Sequence, residues 1–371
     1  GDLDLYIGNE IEAPGTPYPS QLFRNNGDGT FTDVATMAGV RNDRMAKAVA
    51  WGDYDNDGDP DLYVSNIGPN RLYRNNGDGT FTDVAADAGV TEPAGRSFPA
   101  WFFDYDNDGF LDIFVADYGA SLTEVALGFL GQETGRSHPR LYRNLGRGRF
   151  RDVSRDVGLT AASLPMGSNY GDLDNDGFLD FYLGVGTPSY ESIAPNLMYR
   201  NDRGRRFQDV TYSGGFGHLQ KGHGVAFGDI DNDGDQDLFE QMGGAYPGDA
   251  YPSVLYRNPG HGRAWVTLGL TGVESNRSAF GARVRVSVQT ENGPRDIRVV
   301  VGTGGSFGGS SVQQEIGLDD AASIREIEIR WPASGRTQVF RDVEPNRFYE
   351  VREDRDELVA VERASFTIGP P

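Results

Sequence analysis

Carboxylates at alternate positions ahead of a glycine suit one chemistry above others, the oxygen coordination of a hard cation. Asp53-Tyr-Asp55-Asn-Asp57-Gly-Asp59-Pro-Asp61 offers four such groups at positions 1, 3, 5 and 9. The glycine at position 6 permits a sharp turn, and position 7 offers a backbone carbonyl. The same segment returns as Asp104-Asp106-Asp108-Phe110-Asp112, as Asp172-Asp174-Asp176-Phe178-Asp180 and as Asp229-Asp231-Asp233-Asp235-Asp237. Ca²⁺ takes six to eight oxygens in flexible geometry, whereas Mg²⁺ keeps its waters and avoids crowded protein cages. The EF-hand alternative needs Glu at position 12, where Val64 stands inside an apolar run. Four carboxylates form six repelling pairs, each costing about 1 kcal/mol at 4 Å in water. A bound cation removes that repulsion. Four full copies also leave a merely solvated Asp/Asn/Gly turn a poor explanation.

The elements that position these loops recur with them. The copies start at intervals of 51, 68 and 57 residues. An aromatic stands two residues before each first Asp: Trp51, Phe102, Tyr170 and Phe227. An apolar run follows each ninth-position Asp. Gly1-Asp-Leu-Asp4-Leu-Tyr-Ile matches Gly58-Asp-Pro-Asp61-Leu-Tyr-Val. The chain is therefore expected to open inside a fifth copy, with residues and any signal peptide upstream. Asp4 is then a ligand of a partial fifth site.

A second unit follows each loop: Leu22-Phe-Arg-Asn, Leu72-Tyr-Arg-Asn, Leu141-Tyr-Arg-Asn, Met198-Tyr-Arg-Asn and Leu255-Tyr-Arg-Asn. In the first four a glycine turn leads to Phe31, Phe81, Phe150 or Phe207, each heading Phe-x-Asp-Val. Arg24 and Asp33, Arg74 and Asp83, Arg143 and Asp152, and Arg200 and Asp209 are all nine apart. A two-residue hairpin turn would set each Arg opposite its Asp, a structural pair contributing roughly 0.2–1 kcal/mol. Four antiparallel strands per repeat describe a propeller blade. Strand parity puts the aspartate loops on one rim and the second-to-third-strand connections on the other.

Those connections, 10–20, 117–139, 187–195 and 243–252, share Tyr, Pro and Gly. They bring Tyr18, Tyr118, Tyr190, Tyr246 and Tyr251 to the rim opposite the aspartates. The short connection 67–70 leaves a gap there. Loops on a rigid scaffold carry recognition, and tyrosine gives contact area at low entropic cost. His218 and His223 flank Lys221 at a strand entry and read as structural. Residues 121–130 read as a short amphipathic helix packed on the propeller. Asn276-Arg-Ser is a glycosylation sequon, but it lies inside a domain motif and is not expected to be used.

Composition excludes several classes. The 371 residues carry a net charge of −21, and 20 of the 55 acids are Asp2, Asp4 and the loop aspartates. A chain this acidic lacks the basic stripe that nucleic acid needs. No run of apolar residues reaches the length of a membrane span. Without cysteine there is no disulfide framework, thiolate site or cysteine nucleophile. The glycine run 302–311 lacks the Gly-Lys-Ser/Thr ending of a phosphate loop. No acid–base pair stands out beyond the loops, so an enzyme is the less favoured class.

The repeats resemble the FG-GAP/VCBS repeats of integrin-type β-propellers over residues 1 to about 260. Ser275-Asn-Arg-Ser-Ala-Phe-Gly-Ala-Arg-Val, the 302–311 glycine run, Gln314-Glu-Ile-Gly-Leu and Arg330-Trp-Pro-Ala-Ser-Gly resemble the ASPIC/UnbV domain of cartilage acidic protein-like and bacterial UnbV-like proteins. The resemblance implies an all-β fold: a propeller of four-stranded blades, expected seven, with Ca²⁺ in its loops. It divides the chain into a propeller (1–262), a β-domain (263–355) and a tail (356–371). The β-domain either completes the ring as further blades or forms a separate sandwich. Completion is the expectation, because four and a half repeats rarely close a ring alone. The function implied is a secreted, cell-surface or periplasmic Ca²⁺-binding adhesion module of bacterial type. Its protein or glycan partner would sit on the Tyr/Pro-rich face. The alternatives are an enzyme of a biosynthetic pathway and a structural subunit of a surface assembly or filament.

Overall fold

The computed structural model describes residues 2–10, 19–132, 137–244, 246–249 and 251–369. The fold is all-β. The repeats form five antiparallel sheets, taken here as blades 1 to 5. Blade 2 runs Met45–Gly52, Asp61–Ile67, Arg71–Asn75 and Phe81–Asp83. Blade 3 runs Ser97–Phe103, Asp112–Asp117, Arg140–Asn144 and Phe150–Asp152. Blade 4 runs Pro165–Gly171, Asp180–Val185, Leu197–Asn201 and Phe207–Asp209. Blade 1 (Leu5–Ile7, Gln21–Asn25, Phe31–Asp33) and blade 5 (Gly222–Gly228, Asp237–Met242, Val254–Tyr256) have three strands each.

In blades 2, 3 and 4 the second strand is apolar on both faces because both faces are covered. Alternate side chains point to opposite faces of a strand. Leu62 and Val64 of blade 2 therefore enter the core shared with blade 1, and Tyr63 enters the core shared with blade 3. Ile113 and Val115 of blade 3 pack on blade 2, while Phe114 packs on blade 4 with Phe181 and Leu183. Tyr182 then turns to blade 5, where it meets Phe227 and Leu238. In blades 3 and 5 the aromatic before the loop lies on the glycine that ends the preceding blade's first strand. A Cβ at Gly52 would come within 2.7 Å of the Phe102 ring, and one at Gly171 within 2.7 Å of Phe227.

The expected hairpin register is corrected by one residue. Tyr73 pairs with Asp83 and Arg74 with Thr82, and the same offset holds at Phe23–Asp33, Tyr142–Asp152 and Tyr199–Asp209. The loop has five residues, not two. Asn76 N–H donates to Thr80 O, and the Asn75 side chain accepts from Gly77 N. In blades 2 and 3 the Asp partner is instead the arginine that starts the third strand, Arg71 to Asp83 at 3.9 Å and Arg140 to Asp152 at 3.4 Å, and in blade 1 Gln21 donates to Asp33.

Residues 264–361 do not supply further blades. They form two four-stranded sheets packed face to face. One holds Ala264–Thr271, Gln314–Asp319, Arg347–Arg352 and Leu358–Val361, and the other Arg283–Thr290, Gly293–Val300, Ser323–Arg330 and Thr337–Val343. Their inner faces share a single core around Val266, Leu268, Val286, Ile327, Ile329 and Trp331. Ring completion fails because the alternating apolar face of each sheet is consumed by the other. Leu358–Val361, from the stretch read as a tail, adds an edge strand. The described repeats supply five blades.

This sandwich is nevertheless joined to the propeller. Its glycine run lies along the first strands of blades 3, 4 and 5. Ser306 and Ser168 exchange two backbone hydrogen bonds of 2.8 Å, Val225 N–H donates to Phe307 O, and Phe227 N–H donates to Ser310 Oγ. Glycine is required by this closeness: a Cβ at Gly305 would lie 1.9 Å from Ser168 O, and one at Gly308 2.1 Å from Val225 O.

A candidate metal centre on the aspartate rim

Each aspartate loop joins the first strand of its blade to the second. Position 4 is always Asn, at φ between 53° and 64°, and position 6 always Gly, at φ between 82° and 100°. Asn and Gly are the residues that tolerate left-handed backbone. The first-position carboxylate draws the loop round itself. Asp104 accepts from Asp108 N and Gly109 N at 3.0 and 2.9 Å, and Asp172 and Asp229 do the same in their loops. Position 5 accepts from the position-7 amide: Asp59, Phe110, Phe178 and Asp235 donate to Asp57, Asp108, Asp176 and Asp233.

The result is convergence. Carboxylate oxygens of Asp53, Asp55 and Asp57 lie within 4.8 Å of one another, as do those of Asp104, Asp106 and Asp108, and of Asp229, Asp231 and Asp233. In the third loop the trio is Asp172, Asp174 and Asp180, all buried. A buried polar atom without a partner calls for an explanation. The position-3 oxygens Oδ1 of Asp55, Asp106 and Asp231 are buried and have none among the described residues. Those orphaned oxygens, aimed into a cage of carboxylates, fit a cation.

Ninth-position aspartates do a second job. Asp61 accepts from Asn75 N at 2.8 Å and Tyr54 N at 3.2 Å, tying the loop to the third strand. Asp112, Asp180 and Asp237 repeat this, and Asp4 accepts from Asn25 N in blade 1. Burial, then the neighbouring carboxylates, pushes loop acids at positions 1 and 9 upward. Asp61 is raised to about 8 and Asp104 to about 7, and Asp112 and Asp180 rise well above the usual range. Asp229 is raised to about 7 by burial and by Glu315.

Two sets of residues that sequence reasoning passed over stitch the loops together. The position-4 amides of three loops reach the next loop, Asn56 donating to Gly109 O, Asn107 to Gly177 O and Asn175 to Gly234 O, and Asn232 of the fourth donates to Ala364 O near the C-terminus. Asn144, Asn201 and Asn258, which close the Leu/Met-Tyr-Arg-Asn motifs, reach back to Tyr54 O, Tyr105 O and Leu173 O in the previous loop. Their recurrence at fixed places was the available signal. Arginine also enters the rim. Arg143 lies 2.7 Å from Asp106, Arg263 2.9 Å from Asp174 and Arg283 3.1 Å from Asp53. Arg283, Arg295 and Arg298 of the sandwich donate to the carbonyls of Asp53, Asp176 and Asn107. The sandwich therefore sits on the aspartate rim.

On the opposite face Tyr190, Tyr246 and Tyr251 are exposed by 59, 53 and 48%. Tyr118 is not part of that surface. Its ring packs on Phe98 and its hydroxyl donates to Gly186 O. Tyr18 lies outside the described residues. The expected helix forms at Leu122–Phe129, capped by Ser121 with Glu124 in a capping box. His223 sits in the first strand of blade 5 with its ring edge-on to Phe307.

A family model described as FG-GAP-like repeat matches residues 1–64, 55–115 and 122–183, and one described as ASPIC and UnbV matches residues 272–358. No curated protein matches. Among solved structures, a lectin of Agrocybe aegerita described as recognising non-reducing terminal N-acetylglucosamine aligns at 16% identity. It covers 91% of this chain and 83% of its own, with a TM-score of 0.38.

Proposed function

The chain belongs with the proteins that join FG-GAP-like repeats to an ASPIC and UnbV domain, and from that premise we propose that it is a secreted, Ca²⁺-stabilised binding and adhesion module. The observation that carries the metal is the orphaned position-3 oxygen inside each of three carboxylate trios. The proposed ligands are positions 1, 3, 5 and 9 of each loop with the position-7 carbonyl, giving four full sites and a partial fifth at Asp4. The cation's contribution is charge neutralisation, which lets buried carboxylates stay ionised. Extracellular modules of this kind bind at roughly 10⁻⁴–10⁻³ M, a range that fits a secreted or surface setting. Among the described residues no helix is long and apolar enough to cross a membrane.

The partner surface is the exposed tyrosine face, because the sandwich covers the aspartate rim. Metal then acts on recognition indirectly, through blade rigidity. The test has two arms. Chelation should lower the melting temperature and Ca²⁺ should restore it, with metal counting at four to five ions per chain. Replacing Tyr190 and Tyr246 by Ala should weaken capture of partners from glycan and protein arrays at unchanged Ca²⁺ stoichiometry. An unchanged melting curve in excess chelator sinks the metal, and unchanged capture by the tyrosine variant sinks the face.

A further inference from the structure

On the face opposite the aspartates, the link 211–221 between blades 4 and 5 meets Tyr251 and Tyr256 of blade 5. Between them lies a cavity of about 450 Å³ lined by His218, Leu219, Gln220, Tyr251 and Tyr256, with Gly215 and Gly217 in its wall. Its size is that of a small-molecule site and not of an extended groove. The Tyr251 ring is half-exposed and stands edge-on to His218 at 5.3 Å. His218 Nδ1 is buried and has no hydrogen-bond partner among the described residues. Tyr256 is fixed from behind, its hydroxyl donating to Phe216 O. Beside it the Tyr182 hydroxyl donates to the buried Glu240 at 2.8 Å. Lys221, which follows Gln220 in the chain, is buried against Asp249 and lies under the exposed Tyr190 ring.

These features select a ligand class. A flat, rigid, half-exposed ring offers a surface for C–H groups. An unsatisfied imidazole nitrogen and the Gln220 amide offer partners for hydroxyls. None of the described lining residues is an acid, a lysine or an arginine, which disfavours phosphate, carboxylate and amine ligands. We propose that the cavity binds a terminal unit of a neutral saccharide, with a pyranose ring on Tyr251 and hydroxyls bonded to His218 and Gln220. This deepens the tyrosine-face reading and rests on it. His218, which its position marked as structural, becomes a specificity residue.

The experiment uses the full chain with Ca²⁺ and the methyl glycosides of glucose, galactose, mannose and N-acetylglucosamine, read by saturation-transfer NMR. At least one glycoside should receive transfer at its ring C–H protons. Tyr251→Ala should weaken it about tenfold, the size of a lost aromatic anchor. Tyr251→Phe, which keeps the ring, should retain binding, and His218→Ala should weaken it at an unchanged melting temperature. No transfer to any glycoside, or transfer indifferent to both Tyr251→Ala and His218→Ala, overturns the proposal. A proline-rich peptide is run in parallel. If it binds through Tyr251 and no glycoside does, the saccharide falls while the tyrosine face stands. Loss of the face itself is read separately, from the Tyr190 and Tyr246 variant on the arrays.

Discussion

At the scale of residues, aspartates that look alike along the chain divide into two roles. Position 3 keeps an oxygen free in the cage at Asp55, Asp106 and Asp231. Position 9 is spent on two amides, as at Asp61. Removing Asp55 should therefore cost a metal, and removing Asp61 should cost the blade. In chelator, Asp55→Ala is expected to be neutral or stabilising, because it deletes a carboxylate that burial and Asp57 disfavour. Asp61→Ala should destabilise by about 1–3 kcal/mol with or without metal, since a buried amide loses its acceptor. Denaturant midpoints and metal counts on the two variants check this pair. The convergence of the alternating aspartates was legible in sequence. The division of labour was not, because it depends on which third-strand amide each carboxylate meets.

At the scale of elements, what reads clearly is whatever repeats. Strand, aspartate loop, strand, connection and hairpin all recur in the structure as they recur in the text. The hairpin register was misread because Asn-Gly-Asp-Gly invites a two-residue turn, while the Asn75 side chain and two left-handed glycines widen the turn to five residues. The end of the chain was misread for a different reason. Period-two alternation in 282–288 and 324–329 describes a half-buried strand and says nothing of which sheet will cover it. The glycine run gave no sign of its purpose, since its reason lies in strands at distant positions. Gly308→Ala should drive a methyl into Val225 O and expel the run from the first strands. A loss of about 2 kcal/mol or more is expected, as for an overpacked interior. Gly309→Ala, whose Cβ meets nothing closer than 3.5 Å, is the control.

At the scale of the whole molecule, the loops, the asparagine belt and the sandwich arginines form one continuous rim. An effect at one loop is thus not confined to its blade, since Asn107 and Asn175 hand it on through Gly177 and Gly234. Protonation acts through the same rim. Without metal, Asp61, Asp104 and Asp229 are raised to about 8, 7 and 7. A carboxyl raised in the folded state stabilises below its unfolded value near 4 and loses that contribution as pH rises through the folded value. In chelator, the melting temperature should accordingly fall between pH 6 and 8. Saturating Ca²⁺ holds the same carboxylates ionised and should flatten that slope. Calorimetry across this range with and without Ca²⁺ measures it, and parallel slopes would contradict the metal assignment.

The glycine run has a consequence in time as well as in space. Ser306 meets Ala100 across 206 residues of chain, and Ser310 meets Asn169 across 141. Contacts this remote cannot form until their later member has been made. At about 5–20 residues per second, synthesis leaves the first strands of blades 3, 4 and 5 waiting roughly 4 to 40 seconds for the segment that lies along them. During that interval the nascent propeller presents unpaired inner surface, and the hydrogen-bond partners that satisfy it are still unwritten.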